Sequence, residues 1–234
     1  MTDEGALLAR ALGFALAGSL LWLQYWDLKD RRRPEPRLRL LGAFLVGAAS
    51  APLAMGLYAV ASYLGAPSDP ARGTVAIAAF FIGLVGPVEE GAKFLLARAV
   101  VFRWKVFDER VDGFVYAAAV ALGFAAVENL FYLPAMGFRD QVVRSLCAPL
   151  VHTLFAAAWG YGTAHALLEV RSRAGRIAWQ AGTVALAALL HGIYDFVLYS
   201  GASSTTVAVV VVLLWAAVIG AARHAFARDV ATEA

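Results

Sequence analysis

A lone cysteine, Cys147, has no partner within the chain, so no disulfide framework holds this fold. It sits inside an apolar run and reads as a small packing residue. Charge is scarce as well: 16% of the 234 residues are Asp, Glu, Lys or Arg, against about 25% in soluble domains. Hydrophobic residues make up 61% of the chain and the mean hydropathy is +0.69, which excludes an ordinary soluble domain. The apolar excess is gathered into runs of about 18 residues or more, the length that crosses a bilayer. A chain of this length fits one helical bundle in lipid, with residues 1–234 as a single domain.

Seven runs stand out, at residues 6–26, 40–64, 74–102, 113–133, 144–170, 177–199 and 205–226. Gly65, Pro67, Pro70, Pro134 and Gly201 punctuate the gaps between them. Proline removes a backbone donor, so the third run is expected to kink near Gly86-Pro87. Small-residue stretches such as GAASAP and WGYG suit close helix packing. The expected fold class is all-α, a polytopic transmembrane bundle of about seven spans.

Basic residues alternate from one connection to the next. The first connection carries Lys29, Arg31, Arg32, Arg33, Arg37 and Arg39, the third Arg98, Arg103, Lys105 and Arg110, and the fifth Arg171, Arg173 and Arg176. The tail adds Arg223 and Arg228. The opposite side holds only Arg72, Arg139 and Arg144. Lys and Arg accumulate on the cytoplasmic side, so the N-terminus is expected outside and the C-terminus in the cytoplasm. The pI of about 9.2 is this asymmetry; it signals topology and anionic lipid, and no nucleic-acid partner is expected. The first run does not read as a cleavable signal, because Asp3 and Glu4 precede it and a polybasic block ends it.

Ionisable groups inside a span are costly, and each is a functional candidate. The third run carries Glu89, Glu90 and Lys93 in PVEEGAK, and the fourth Glu128 and Asn129 in GFAAVENLFY. The fifth carries His152, and the sixth His191 and Asp195 in HGIYD. Lys93 lies within helical reach of both glutamates. Glu89 and Glu90 point about 100° apart, so one can face a cavity while the other pairs with Lys93. Asp195, four residues after His191, can orient the imidazole or share a metal with it. Blander readings stand beside these: Glu89–Lys93 as a structural pair, His152 as a packing histidine, Asn129 as an interhelical hydrogen-bond residue. His165 and His224 read as interfacial. A proton-coupled transporter also carries such groups, but no internal repeat of the kind transporters show is evident. A non-catalytic scaffold is the third reading. Four spans each supplying acid, base or ligand types favour catalysis.

These motifs resemble the PrsW family of bacterial intramembrane proteases, related to the group that includes the CAAX prenyl endopeptidases. The family pattern is E-E-x-x-K, F-x-x-x-E, a single His and H-x-x-x-D on successive helices. Here it corresponds to Glu89, Glu90 and Lys93; Phe124 and Glu128; His152; and His191 and Asp195. Flanking text matches as well: Pro34-Glu35-Pro36 after the first run, and Asp112, Gly113 and Tyr116 at the start of the fourth. The resemblance implies a multi-pass protein of the bacterial plasma membrane that cleaves membrane-anchored proteins. Its best-known substrate class is an anti-sigma factor, cut at the first site.

Two chemistries fit the set. In one, Glu89 or Glu90 with a histidine takes a proton from water as it attacks the peptide carbonyl, and no cofactor is required. In the other, a divalent metal such as zinc activates the water, with His152, His191, Asp195 and Glu128 as candidate ligands. The prenyl endopeptidases have His in place of Glu128 and usually Asn in place of Asp195. The four carboxylates against Lys93 leave a formal charge of about −3, which calls for protons or a cation. All six groups are expected to line one cavity. Depths measured at about 1.5 Å per residue put Glu128, His152, His191 and Asp195 in the outer half of the bilayer, whereas Glu89 lies deeper along its own run. Taken together, the four place the cavity mouth on the extracytoplasmic side.

Overall fold

In lipid a segment has to satisfy its backbone N–H and C=O groups internally, so each apolar run closes into a helix. The computed structural model describes residues 3–29, 33–67, 69 and 73–233. Arg31, Arg32, Pro70 and Arg72 lie outside the described residues, as do the side chains of Asp3, Glu4, His224, Phe226 and Arg228. The elements are α1 (Asp3–Lys29), α2 (Arg37–Tyr63), α3 (Thr74–Phe80), α4 (Gly86–Ala99), α5 (Arg110–Tyr132), α6 (Phe138–Leu168), α7 (Arg173–Tyr199) and α8 (Ser204–Glu233). No strand occurs among the described residues. Six spans, with α3 and α4 forming one of them, are long and apolar enough to cross a membrane. The apolar stretch of α8, Thr205–Gly220, is shorter.

Helix α5 is the axis of the bundle and packs against α6, α2 and α1. From Val111 to Ala126 every residue is buried, so the helix is enclosed all round rather than along one stripe. Its neighbours approach closely because the crossings are made of glycine. A Cβ on Gly113 would lie 2.4 Å from the Gly160 carbonyl oxygen, and one on Gly123 would lie 1.8 Å from that of Phe44. Gly47 and Gly160, in the two small-residue stretches, are as tightly met. Large apolar side chains such as Leu45, Val60, Leu95 and Leu213 face outward, toward lipid.

The third run is continuous. Between α3 and α4 the helix widens into a π turn, Phe81–Val85, in which the Gly86 N–H bonds to the Phe81 carbonyl. Pro87 has no N–H to give the preceding turn, and its ring crowds the carbonyl four residues back; the wider turn accommodates both. The expected kink thus takes the form of a π turn. Here Gly86 and Gly192 let the backbones of α4 and α7 touch.

Two features differ from the sequence reading. Cys147 is exposed on α6, facing outward rather than packing in the bundle. Helix α6 begins six residues before the expected start at Arg144. The extra turns are held by the Gln141 amide, which donates to the Leu133 carbonyl at 2.7 Å and the Met136 carbonyl at 3.1 Å. Arg144 does not end the span, because its charge turns inward. The PEP and D-G-x-x-Y residues meet at the opposite end of α5. Asp112 accepts from the backbone N–H groups of Asp108 and Glu109, both at 2.8 Å, capping α5, and the Tyr116 hydroxyl donates to buried Glu35. They tie the α1–α2 connection to α5.

Candidate active site

The two adjacent glutamates of α4 separate as their helical angle requires. Glu90 points into the bundle and is fully buried. Its Oε1 accepts from Lys93 Nζ at 2.6 Å and from His191 Nδ1 at 2.9 Å, and its Oε2 accepts from the Trp159 indole N–H at 2.9 Å. Glu89 points the other way. Its Oε1 accepts from the Tyr58 hydroxyl at 3.2 Å, while its Oε2 is buried without a hydrogen-bond partner. That oxygen faces His191 Nε2 at 3.7 Å and Lys93 Nζ at 3.9 Å.

Lys93 is fully buried and stays with its own helix rather than reaching an interface. Its ammonium, over the Phe124 ring at 4.3 Å, lies 3.1 Å from His152 Nδ1. An ammonium only donates, so Nδ1 is the acceptor and the His152 proton sits on Nε2, which donates to Glu128 Oε2 at 2.8 Å. The His191 ring is fixed at both nitrogens: Nδ1–H donates to Glu90, and Nε2 faces Asp195 Oδ2 at 3.4 Å. Phe155 stacks on its face with centroids 4.8 Å apart.

Glu89, Glu128, His152, His191 and Asp195 line one cavity of about 550 Å³. Glu90 does not line it. Its three donors lie inside the bundle, so it stands behind His191; the expectation that all six groups face the cavity is corrected here. Asn129 is buried too, and its Oδ1 accepts from Arg144 Nε at 3.0 Å.

Sequence reasoning missed three residues. Arg144, read as a topology residue, lines the cavity, with Nη2 3.2 Å from Glu128 Oε1 and its guanidinium over the Tyr132 ring at 4.1 Å. It brings the formal charge of the cluster to about −2. The signal was present: Arg144, Ala148 and His152 recur every four residues on one face of α6, and all line the cavity. Trp159, seven residues after His152, shares that face approximately. Tyr58 of α2 gave no signal.

The relative level of Glu89 and His191 follows from the packing of the π turn on α7. Phe81 and Tyr199 meet with ring centroids 4.5 Å apart. Glu89 lies eight residues along from Phe81, and His191 lies eight residues back from Tyr199, so both sit at one level. Glu89 seemed deeper because α3 extends beyond the end of α7. The cavity is bounded by Pro67 and Asp69 of the α2–α3 connection, Tyr132 at the end of α5 and Tyr199 at the end of α7, so it opens at the end of the bundle that bears the basic-poor connections.

Residues 35–221 match the family described as PrsW family intramembrane metalloprotease. The chain is 30% identical to Protease PrsW of Bacillus subtilis (strain 168), over 78% of this chain and 80% of that protein. It is 32% identical to Protease PrsW of Geobacillus kaustophilus, covering 78% and 77%, and 32% identical to that of Oceanobacillus iheyensis, covering 87% and 90%. No solved structure matches the chain. With its motif-bearing helices gathered around one cavity and a family match spanning all of them, the chain is a multi-pass membrane protein that belongs to the PrsW family.

Proposed function

We propose that the chain is one intramembrane endopeptidase domain that hydrolyses a peptide bond of a membrane-anchored protein, with Glu89 as general base. The observation that carries this is Glu89 Oε2: buried, without a hydrogen-bond partner, beside His191, in a cavity roomy enough for water and a segment of chain. Water there gives a proton to Glu89 as its oxygen bonds to the carbonyl carbon. Glu89 then passes the proton to the amine nitrogen as the C–N bond breaks. Glu90 is a positioning residue that holds His191 and Lys93, and Asp195 holds the other side of His191. Glu128, His152 and Arg144 form the opposite wall, where substrate backbone lies.

The family description raises a second reading, a bound divalent metal, and the residues fit one in type. The donor atoms of Glu89, His152 and His191 all lie within 4.8 Å of one another, and Glu89 Oε2 is an orphan. Glu89, His152 and His191 would hold the ion. A bound metal polarises the carbonyl and lowers the pKa of water. Against His152 as a ligand stands its contact with Lys93, which keeps the proton on Nε2. Activity is therefore expected to survive dialysis against a chelator, with far less than one metal per chain by elemental analysis. Loss of activity with recovery on adding zinc would move water activation to the metal and make Glu89 a ligand rather than the base.

We further propose an outside N-terminus, a cytoplasmic C-terminus and a cut at the outer end of the substrate's span. The basic-poor connections around the cavity mouth support this. Such a cut suits the first-site cleavage of an anti-sigma factor, the substrate class we favour. Purified protein should cleave a single-span reporter, and mass spectrometry should place the new ends at its extracytoplasmic flank. New ends on the cytoplasmic flank would overturn the orientation or the cavity assignment.

A further inference from the structure

The general-base reading supplies a proton acceptor but no donor for the oxyanion that forms on the substrate carbonyl. The basic groups near Glu89 are occupied. Lys93 pairs with Glu90, His191 is held between Glu90 and Asp195, and Arg144 is held by Glu128 and Asn129. The Tyr58 hydroxyl is different. It projects from α2 into the cavity wall, and its hydrogen-bond partners among the described residues are Glu89 Oε1 at 3.2 Å and, at the limit of a hydrogen bond, the Val85 carbonyl at 3.5 Å. The ring is half-buried against Ala51, Ala54, Ala92 and Phe124, which anchors it while the hydroxyl stays at the cavity surface.

From this geometry we propose that Tyr58 is a catalytic residue, whose O–H donates a hydrogen bond to the oxyanion of the tetrahedral intermediate. This rests on Glu89 as the base. Water attacks beside Glu89, so the carbonyl oxygen develops its charge within reach of a hydroxyl that already touches that carboxylate. In the resting site the O–H points to Glu89. As Glu89 takes the proton from water it becomes a weaker acceptor, and the hydroxyl turns about its C–O bond toward the new anion. No proton leaves Tyr58: the electron pair of the C=O bond moves to oxygen, the water oxygen bonds to carbon, and collapse returns the pair as the C–N bond breaks. The donor is thus engaged in the transition state more than in the ground state, which is what raises kcat.

The test is Tyr58→Phe, which keeps the ring and removes the hydroxyl, in the full chain reconstituted with a fluorogenic single-span reporter peptide. The expected result is a fall in kcat of about 10²–10³-fold with KM unchanged. A peptide aldehyde, which hydrates to a tetrahedral diol, should bind the variant more weakly by a similar factor, while an uncleavable peptide of the same sequence binds as it does to the parent. That last binding also shows that the variant is folded. In a Glu89→Gln background, Tyr58→Phe should cost little more, because the two groups act together. An unchanged kcat, a loss confined to KM, or equal weakening of aldehyde and uncleavable peptide would overturn the assignment. Parental activity of Glu89→Gln alone would overturn the general-base reading instead, so the two failures are told apart.

Discussion

Glu89→Gln should insert and fold as the parent does, and cleave a transmembrane reporter about 10²–10⁴-fold more slowly, the usual contribution of a general base. The substitution keeps the size and an oxygen to accept from Tyr58, and removes the carboxylate charge and with it the ability to take a proton. Because Glu89 Oε2 has no hydrogen-bond partner, no network collapses when it changes. The loss should therefore appear in kcat, with reporter binding and thermal unfolding in detergent close to parental. Undiminished turnover would remove Glu89 from the chemistry. Thermal unfolding shifted as far as the activity would mean that its role is in folding.

Lys93→Met should behave in the opposite way. The ammonium is fully buried among Glu90 at 2.6 Å, His152 Nδ1 at 3.1 Å and Glu89 at 3.9 Å. Removing it leaves Glu90 as a buried carboxylate short of one partner, and breaking a buried pair in this way costs about 3–5 kcal/mol. Unfolding should shift strongly downward and activity should be lost with it. Adding Glu90→Gln removes the stranded charge, so the double variant should regain part of the stability without activity, since His191 has lost its carboxylate anchor. A single variant as stable as the parent, or a double variant less stable than Lys93→Met, would show that the pair is not the structural hinge of the site.

Much of this protein was legible as text because lipid is an unforgiving solvent. Apolar runs had to be helices, and the ends of the six long spans appear within six residues of their expected places, with the last run shorter in its described apolar part. Charged and imidazole groups inside those runs had to find one another, so Glu89, Glu128, His152, His191 and Asp195 could be named before any cavity was seen. Helical periodicity even separated the jobs of Glu89 and Glu90, since neighbours on a helix face different ways.

Which glutamate faces the cavity was decided by packing. Trp159 and His191 close around Glu90, while Tyr58 and open space meet Glu89. Arg144 misled the sequence reading because a basic residue near the end of an apolar run ordinarily marks an interface. Here Glu128 and Asn129, on another helix, turn it inward. Tyr58 lies 31 residues from Glu89 on a different helix, and no spacing rule links them. The level of Glu89 in the membrane was likewise hidden, because counting residues along one helix cannot show where its neighbour ends. By itself the sequence determined the spans, the polar groups that had to meet and the family pattern they make, because those depend on local periodicity and on the cost of charge in lipid. The tertiary structure alone decided which oxygen is left without a partner, which side chains surround it and at which end the cavity opens, because those depend on how separate helices come to lie against one another.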